Sequence, residues 1–298
     1  MEEFTKNVLE LRKRLEDKFE EKFGPKNHVT IEANTLDELY FKIIDAALKY
    51  GRIYKISAGS FSGSHRLEFD SASLIVTNPN TRPLAPIPRT GIPVTTNDDK
   101  IEQYFLKYLL DGSLESNEEY KYSSWIGGIP PSLPLEHKGV PRGTRLNQLE
   151  WCINHFIKHG FENNHCYITV GCAEGLQRYD WEYETDAEKG STECLRGISF
   201  KIKDGKLNIT VFFRSWDAIA GTPENLGGFV RLSEYVVDEI NSKIKKIKDI
   251  PYLPINFKKE LQTNYPEVKI GNLCAHSDGL HVYEHNLDLA KLWVGLDK

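Results

Sequence analysis

Residues 193–236 read ECLRGISFKIKDGKLNITVFFRSWDAIAGTPENLGGFVRLSEYV, and the reading of the fold starts there. Leu195–Lys203 and Lys206–Phe213 flank Asp204-Gly205, the dipeptide best suited to the positive φ angles of a two-residue turn. The spacing predicts an antiparallel hairpin. Thr222 as cap and Pro223 at the first helical position then open a helix of about 24 residues. Short strands are predicted near 269–276 and 280–284. Upstream, 166–171 reads as a strand and 173–193 as a polar, acidic connection. Arg145 to Gly160 is helical through Leu146, Leu149, Ile153, Phe156 and Ile157.

Further out, Thr35-Leu36-Asp37-Glu38 has capping-box spacing for a helix ending near Gly51. Two strands are expected within 53–77, a proline-rich loop over 78–96, and a helix from Asp98 to Gly112. Residues 123–144 carry prolines and glycines and read as a long insertion; such loops are usually functional or mobile. Residues 1–24 form an amphipathic helix on Phe4, Val8, Leu11, Leu15 and Phe19, stopped by Gly24-Pro25. This extension is expected to dock on the main body or on a second subunit, with 25–298 as one domain. Helices and strands intermingle without regular βαβ alternation, which predicts an α+β fold.

The chain has 298 residues, 38 Lys+Arg against 43 Asp+Glu, 40% apolar and 27% charged residues. That balance excludes a disordered, collagenous or disulfide-scaffold chain. A net charge of -5 argues against broad nucleic-acid binding. The five cysteines (152, 166, 172, 194, 274) show no CxxC spacing, so no metal site is expected. No apolar run approaches the ~18 residues of a membrane span, and the charged N-terminus is unlike a signal peptide. A cytoplasmic protein without a membrane role is the expectation.

The chemistry gathers at the hairpin's open end. Cys194 enters the first strand and Arg214-Ser215-Trp216-Asp217 leaves the second, so pairing through Asp204-Gly205 brings them together. A thiol beside a guanidinium is expected to have a lowered pKa and to be the better nucleophile.

This stretch resembles the core of the thymidylate synthase family: a catalytic cysteine, a DGKL hairpin, an RSxD element twenty residues on, and an asparagine in a PxN turn. GNLCAHSDGLHVYEHN is similar to the family's HxY element, while IEQYFLKYLLDG, YKYSS and RLNQLEW are weaker counterparts of upstream segments. The resemblance implies a large twisted mixed sheet flanked by helices, and a homodimer formed back-to-back through it. It implies folate-dependent one-carbon transfer to C5 of a pyrimidine nucleoside monophosphate, with 5,10-methylenetetrahydrofolate as donor. The simplest such reaction converts dUMP to dTMP; a 5-hydroxymethylase and a non-catalytic nucleotide-binding paralogue are the alternatives.

Carried over, Cys194 would add to C6, Arg214 and Ser215 would hold the 5′-phosphate, and Asp217 would touch the base through its backbone. Asn225 would match O4 and N3–H of uracil, since an amide both donates and accepts; the family's cytosine-specific hydroxymethylases carry aspartate there. His281 and Tyr283 would bond the sugar hydroxyl, and Tyr122 and Glu102 would serve proton transfer around C5. Most members also bring an Arg-Arg pair from the partner subunit to the phosphate. The corresponding stretch here is Glu162-Asn163-Asn164-His165, leaving Arg142, Arg145, Arg66 and Arg82 as candidate substitutes.

Overall fold

The computed structural model describes residues 2–57, 61–113, 120–180, 192–249, 251 and 265–296. Part of the acidic connection expected over 173–193 thus lies outside the described residues. Helix α1 (Glu2–Phe19) stops short of Gly24, because Glu20 already turns to a φ of 54°. Phe4, Val8, Leu11 and Leu15 are buried, whereas Phe19 stays exposed. The buried Arg12 donates from Nε to the Leu48 carbonyl at 3.0 Å and from a terminal nitrogen to the Gly51 carbonyl. It thereby caps the end of helix α2 (Leu36–Tyr50).

Strand β1 (His28–Ala33) falls where the sequence reading predicts no element. Helix α2 begins at Thr35, whose hydroxyl accepts the Glu38 N–H at 3.3 Å, while the Glu38 carboxylate accepts the Asn34 N–H at 2.7 Å. Strands β2 (Arg52–Lys55) and β3 (His65–Val76) follow. The helix expected over 98–112 divides into α3 (Asp98–Tyr104), capped by Asn97, and a π-helical turn over Phe105–Leu110.

The 123–144 insertion is packed rather than open: Trp125, Ile126, Ile129 and Val140 are buried. It holds a π-helical turn (Ser124–Gly128) and the short hairpin β4 (Glu136–His137) and β5 (Val140–Pro141). Helix α4 (Gln148–His159) starts later than Arg145, whose guanidinium is spent on the carbonyls of Ile129 and Leu133 at 3.2 and 2.8 Å.

Strand β6 (Tyr167–Thr169) and a 3-10 turn (Ala173–Asp180) lead to the hairpin of β7 (Leu195–Lys203) and β8 (Lys206–Phe213). At its turn Asp204 and Gly205 take φ angles of 51° and 69°. The two-residue strand β9 (Trp216–Asp217) precedes α5 (Gly221–Lys248), which runs 28 residues. Thr222 does not cap this helix; its hydroxyl donates to the Asp217 carbonyl at 2.9 Å. The two strands expected near the C-terminus are one 15-residue strand, β10 (Lys269–Tyr283), followed by helix α6 (Leu287–Val294).

Among the described residues the main sheet has eight strands, ordered β1-β3-β10-β8-β7-β6, with β2 on β3 and β9 on β10. Pairs β1/β3 and β10/β8 are parallel, while β3/β10 and β7/β8 are antiparallel, so the fold is α+β with a large mixed sheet, as the resemblance implies. Strand alternation splits the side chains between faces. Leu67, Phe69, Leu74, Ile209, Val211, Leu273 and Ala275 are buried in the core shared with α2 and α5. The opposite parity carries Asn272, His276 and Tyr167, all exposed. No helix among the described residues is long and apolar enough to cross a membrane.

Arg12→Met should lower unfolding stability by ~2–3 kcal/mol, since two buried carbonyls lose a charged donor. Equilibrium urea denaturation measures it, and an unchanged midpoint would show that α1 contributes no such clamp.

Candidate active site

Cys194 sits at the open end of the β7–β8 hairpin, and Arg214 closes that end. The Arg214 backbone N–H donates to the Cys194 carbonyl at 2.9 Å. Its guanidinium donates from Nε to the Glu193 carbonyl at 3.1 Å and from a terminal nitrogen to the Thr192 carbonyl at 2.7 Å. Below it, the fully buried Glu193 carboxylate receives Arg178 at 3.0 and 3.1 Å, the Trp125 indole at 2.8 Å and the Thr192 hydroxyl at 2.7 Å. A buried carboxylate so surrounded stays ionised: Arg178 and the hydrogen bonds hold it below the usual range although burial opposes them.

The expected lowering of the thiol pKa is not found. Burial pushes Cys194 up; Arg214 and Arg196 pull down, and Glu193 adds to the rise. Desolvation outweighs the two guanidinium groups, so Cys194 rests as a thiol.

A tyrosine cluster covers Cys194. The Leu195 N–H donates to the Tyr122 hydroxyl at 3.4 Å. Tyr122 meets Tyr108 edge-on with centroids 5.3 Å apart, Tyr120 lies 6.1 Å from Tyr122, and Tyr108 stacks on Tyr104 at 5.4 Å. Burial pushes the phenols of Tyr104, Tyr120 and Tyr122 up, so all three remain neutral. Glu102 does not join them. Its carboxylate is held by Arg231 at 2.6 and 3.2 Å, 41% exposed, and it is Tyr104 that α3 turns toward the cluster.

Sheet register assembles the remaining candidates. His281 lies opposite Asp217 on one side and Glu68 on the other, and Tyr283 opposite Arg66. The Asp217 carboxylate accepts the N–H groups of Ile219 and Ala220 at 2.8 and 3.0 Å, fixing the turn into α5. Ser215 is half-buried in the turn between β8 and β9. Asn225, the fifth residue of α5, accepts the Trp216 indole N–H on Oδ1 at 2.8 Å. Tyr283 connects the two halves of the site: Asp217, Arg66 and Cys194 all act on its phenol, which burial raises.

His281 donates from Nδ1 to the Gly279 carbonyl at 2.8 Å, and its buried Nε2 has no partner among the described residues. Burial pushes its pKa down to about 4, with Arg66 acting in the same direction.

Of the candidate substitutes for the arginine pair, Arg82 pairs with Glu234 at 2.7 Å and Arg145 holds insertion carbonyls. Arg66 contacts Glu68 at 2.5 Å beside His281. Sequence reasoning overlooked Arg196. Its guanidinium lies 3.9 Å from Glu193, and with Arg214, Ser73, Phe212, His276 and Asp278 it lines a cavity of about 350 Å³. It also missed Glu193–Arg178, Tyr104 and Trp216. The last two had a readable signal: Tyr104 and Tyr108 stand four apart on a helix, and Trp216 lies inside the RSWD element.

Two outcomes follow from these ionisation states. Alkylation of the Cys194 peptide by iodoacetamide should rise with pH along a curve centred above the ~8.5 of a free thiol, and higher still in Arg214→Ala. A midpoint below 8 would contradict the buried thiol. His281, with a folded pKa below its unfolded value, binds fewer protons folded than unfolded between pH 6.5 and about 4. Its contribution is complete above ~6.5 and is lost on acidification, by roughly 3 kcal/mol at the lower end. His281→Asn should flatten the pH dependence of urea unfolding in that window.

No protein-family model matches the chain. Among curated proteins it is similar to one from Methanosarcina acetivorans named "Putative thymidylate synthase", 22% identical over 279 residues, covering 93% of this chain and 97% of the other. A protein of the same name from Methanosarcina barkeri is 23% identical over 219 residues, covering 72% and 82%. Another, from Methanocaldococcus jannaschii, is 40% identical over 96 residues, or 32% of this chain and 40% of the other.

Proposed function

We propose that this chain, which is thymidylate synthase-like in sequence and fold, transfers a one-carbon unit to C5 of a uracil nucleotide, converting dUMP to dTMP. The observation that carries the reading is the single constellation of Cys194, Arg214, the tyrosine cluster, Asn225 and His281 around the open end of one hairpin.

Cys194 gives up its proton and its Sγ bonds to C6; the C5=C6 pair moves toward C4, leaving negative charge on O4 and a nucleophilic C5. C5 would take the one-carbon unit as that carbon's bond to the folate nitrogen breaks, the C5 proton would leave, a hydride from the folate would complete the methyl group with dihydrofolate as by-product, and departure of Sγ would restore the double bond. Tyr122, hydrogen-bonded at Leu195, would relay that proton, a role in which Glu102 takes no part because Arg231 holds it. Since burial keeps Cys194 protonated at rest, attack is coupled to its deprotonation beside Arg214. Arg214 and Ser215 would bind the 5′-phosphate, with Arg196 and Arg66 supplying the cationic field that the missing arginine pair would otherwise provide. The unpaired Nε2 of neutral His281 and the Tyr283 hydroxyl are suited to a sugar hydroxyl.

Methylenetetrahydrofolate supplies the carbon and, for a methyl product, the hydride. Tyr108, Tyr120 and Tyr179, aromatic rings beside Cys194, would hold its pterin. A homodimer through the sheet is supported by the exposed parity of β6 and β10 described above.

Tritium release from 5-tritiated dUMP, UMP, dCMP and CMP with methylenetetrahydrofolate tests the reading. Release from dUMP, abolished in Cys194→Ala, with a product mass corresponding to the methyl compound, is expected. Release from cytosine nucleotides alone, or from none of the four, would overturn it.

A further inference from the structure

Within the tyrosine cluster one group has no counterpart. The Tyr104 hydroxyl is buried and has no hydrogen-bond partner among the described residues. Its ring lies against α5 at Gly228, where a Cβ would come within 2.5 Å of Tyr104 Cδ1; only glycine admits the ring there. Gly228 is three residues after Asn225, hence on the same helix face. Burial raises the Tyr104 phenol pKa and the Asn225 amide beside it opposes that rise without overcoming it, so the phenol keeps its proton as a donor.

The orientation of the Asn225 amide follows from its neighbour. An indole N–H can only donate, so the atom facing Trp216 at 2.8 Å is the amide oxygen. The NH2 group is therefore turned away from Trp216. Trp216 is itself immobile: it is buried and stacks on Phe213 with centroids 4.1 Å apart and planes 6° from parallel.

We propose that Tyr104 contacts the substrate, and that its O–H and the Asn225 NH2, the latter oriented by Trp216, form a two-donor edge that binds the C4 carbonyl of a uracil ring. The inference rests on the function proposed above. A cytosine presents an amino group at C4, so the same edge would oppose donor to donor and leave buried groups unpaired. The second lone pair of the Asn225 oxygen still serves N3–H. Because O4 gains negative charge when Cys194 adds at C6, both donors bind the adduct more tightly than the free nucleotide. Trp216 is a positioning residue that acts through Asn225.

Two conservative variants test this, with dUMP as probe and far-UV circular dichroism confirming the fold. Tyr104→Phe keeps the ring on Gly228 but removes the donor. It should lower kcat for tritium release from dUMP roughly 10- to 100-fold, the range of one hydrogen bond to a charged acceptor, while calorimetric Kd for dUMP changes less than about threefold. Trp216→Phe keeps the stack on Phe213 but frees the amide to rotate. It should reduce the dUMP-over-dCMP ratio of kcat/KM roughly tenfold or more, an effect that a packing role alone would not produce. If wild-type protein releases tritium from dUMP and both variants match it, the two-donor edge is wrong while the proposed function stands. If wild-type protein neither binds nor turns over a uracil nucleotide, the function falls and this inference with it.

Discussion

The Arg214 clamp on the carbonyls of Thr192 and Glu193 is the contact on which the site depends. It joins the two strand ends that Asp204-Gly205 separates, and it brings a cation to the backbone immediately before Cys194. The clamp rests in turn on Glu193, a carboxylate with no exposure, satisfied by Arg178, Trp125 and Thr192. Removing one member of such a buried pair leaves an uncompensated charge, typically a loss of ~3–5 kcal/mol. The backbone just before Cys194 is thus held by internal charges. At the thiol itself burial prevails over the pull of Arg214.

The mixed sheet explains how distant residues meet. β10 runs antiparallel to β3 and parallel to β8, and then continues alongside β9, so one strand carries His281 past Glu68 and Asp217 and Tyr283 past Arg66. Helix α5 starts from the turn that Asp217 holds and brings Asn225 beneath the same ring of residues. Ionisable groups there are kept neutral by burial: the phenols and the thiol are raised, and His281 is lowered. These neutral groups offer hydrogen-bond donors and acceptors, with the guanidinium groups kept to one side.

Local chemistry was legible where a residue type permits only one conformation. Asp204-Gly205 announced the hairpin, and Thr35 with Glu38 announced α2 and its end at Gly51. What could not be read was decided by tertiary packing. Gly279, with a φ of 75°, reads as a break between two strands, yet β3 pairs with β10 on both sides of it and the strand continues. Glu102 and Tyr104 stand two apart on α3 and so face different sides of the helix: Tyr104 reaches the site and Glu102 is left to Arg231. The thiol pKa was misjudged for a related reason: proximity to Arg214 is visible in the sequence, whereas the burial that overrides it is not. Trp216 was passed over because an indole between Ser215 and Asp217 gives no sign of its partner until its N–H is seen on Asn225.

The most direct test of the account is intact-protein mass spectrometry after incubation with methylenetetrahydrofolate and 5-fluoro-dUMP, in which fluorine occupies the position of the proton that must leave. The account predicts a stable adduct of one nucleotide plus the folate-borne carbon per chain, mapped by proteolysis to the peptide containing Cys194 and absent from Cys194→Ala. No adduct, or one on any other cysteine, would contradict it.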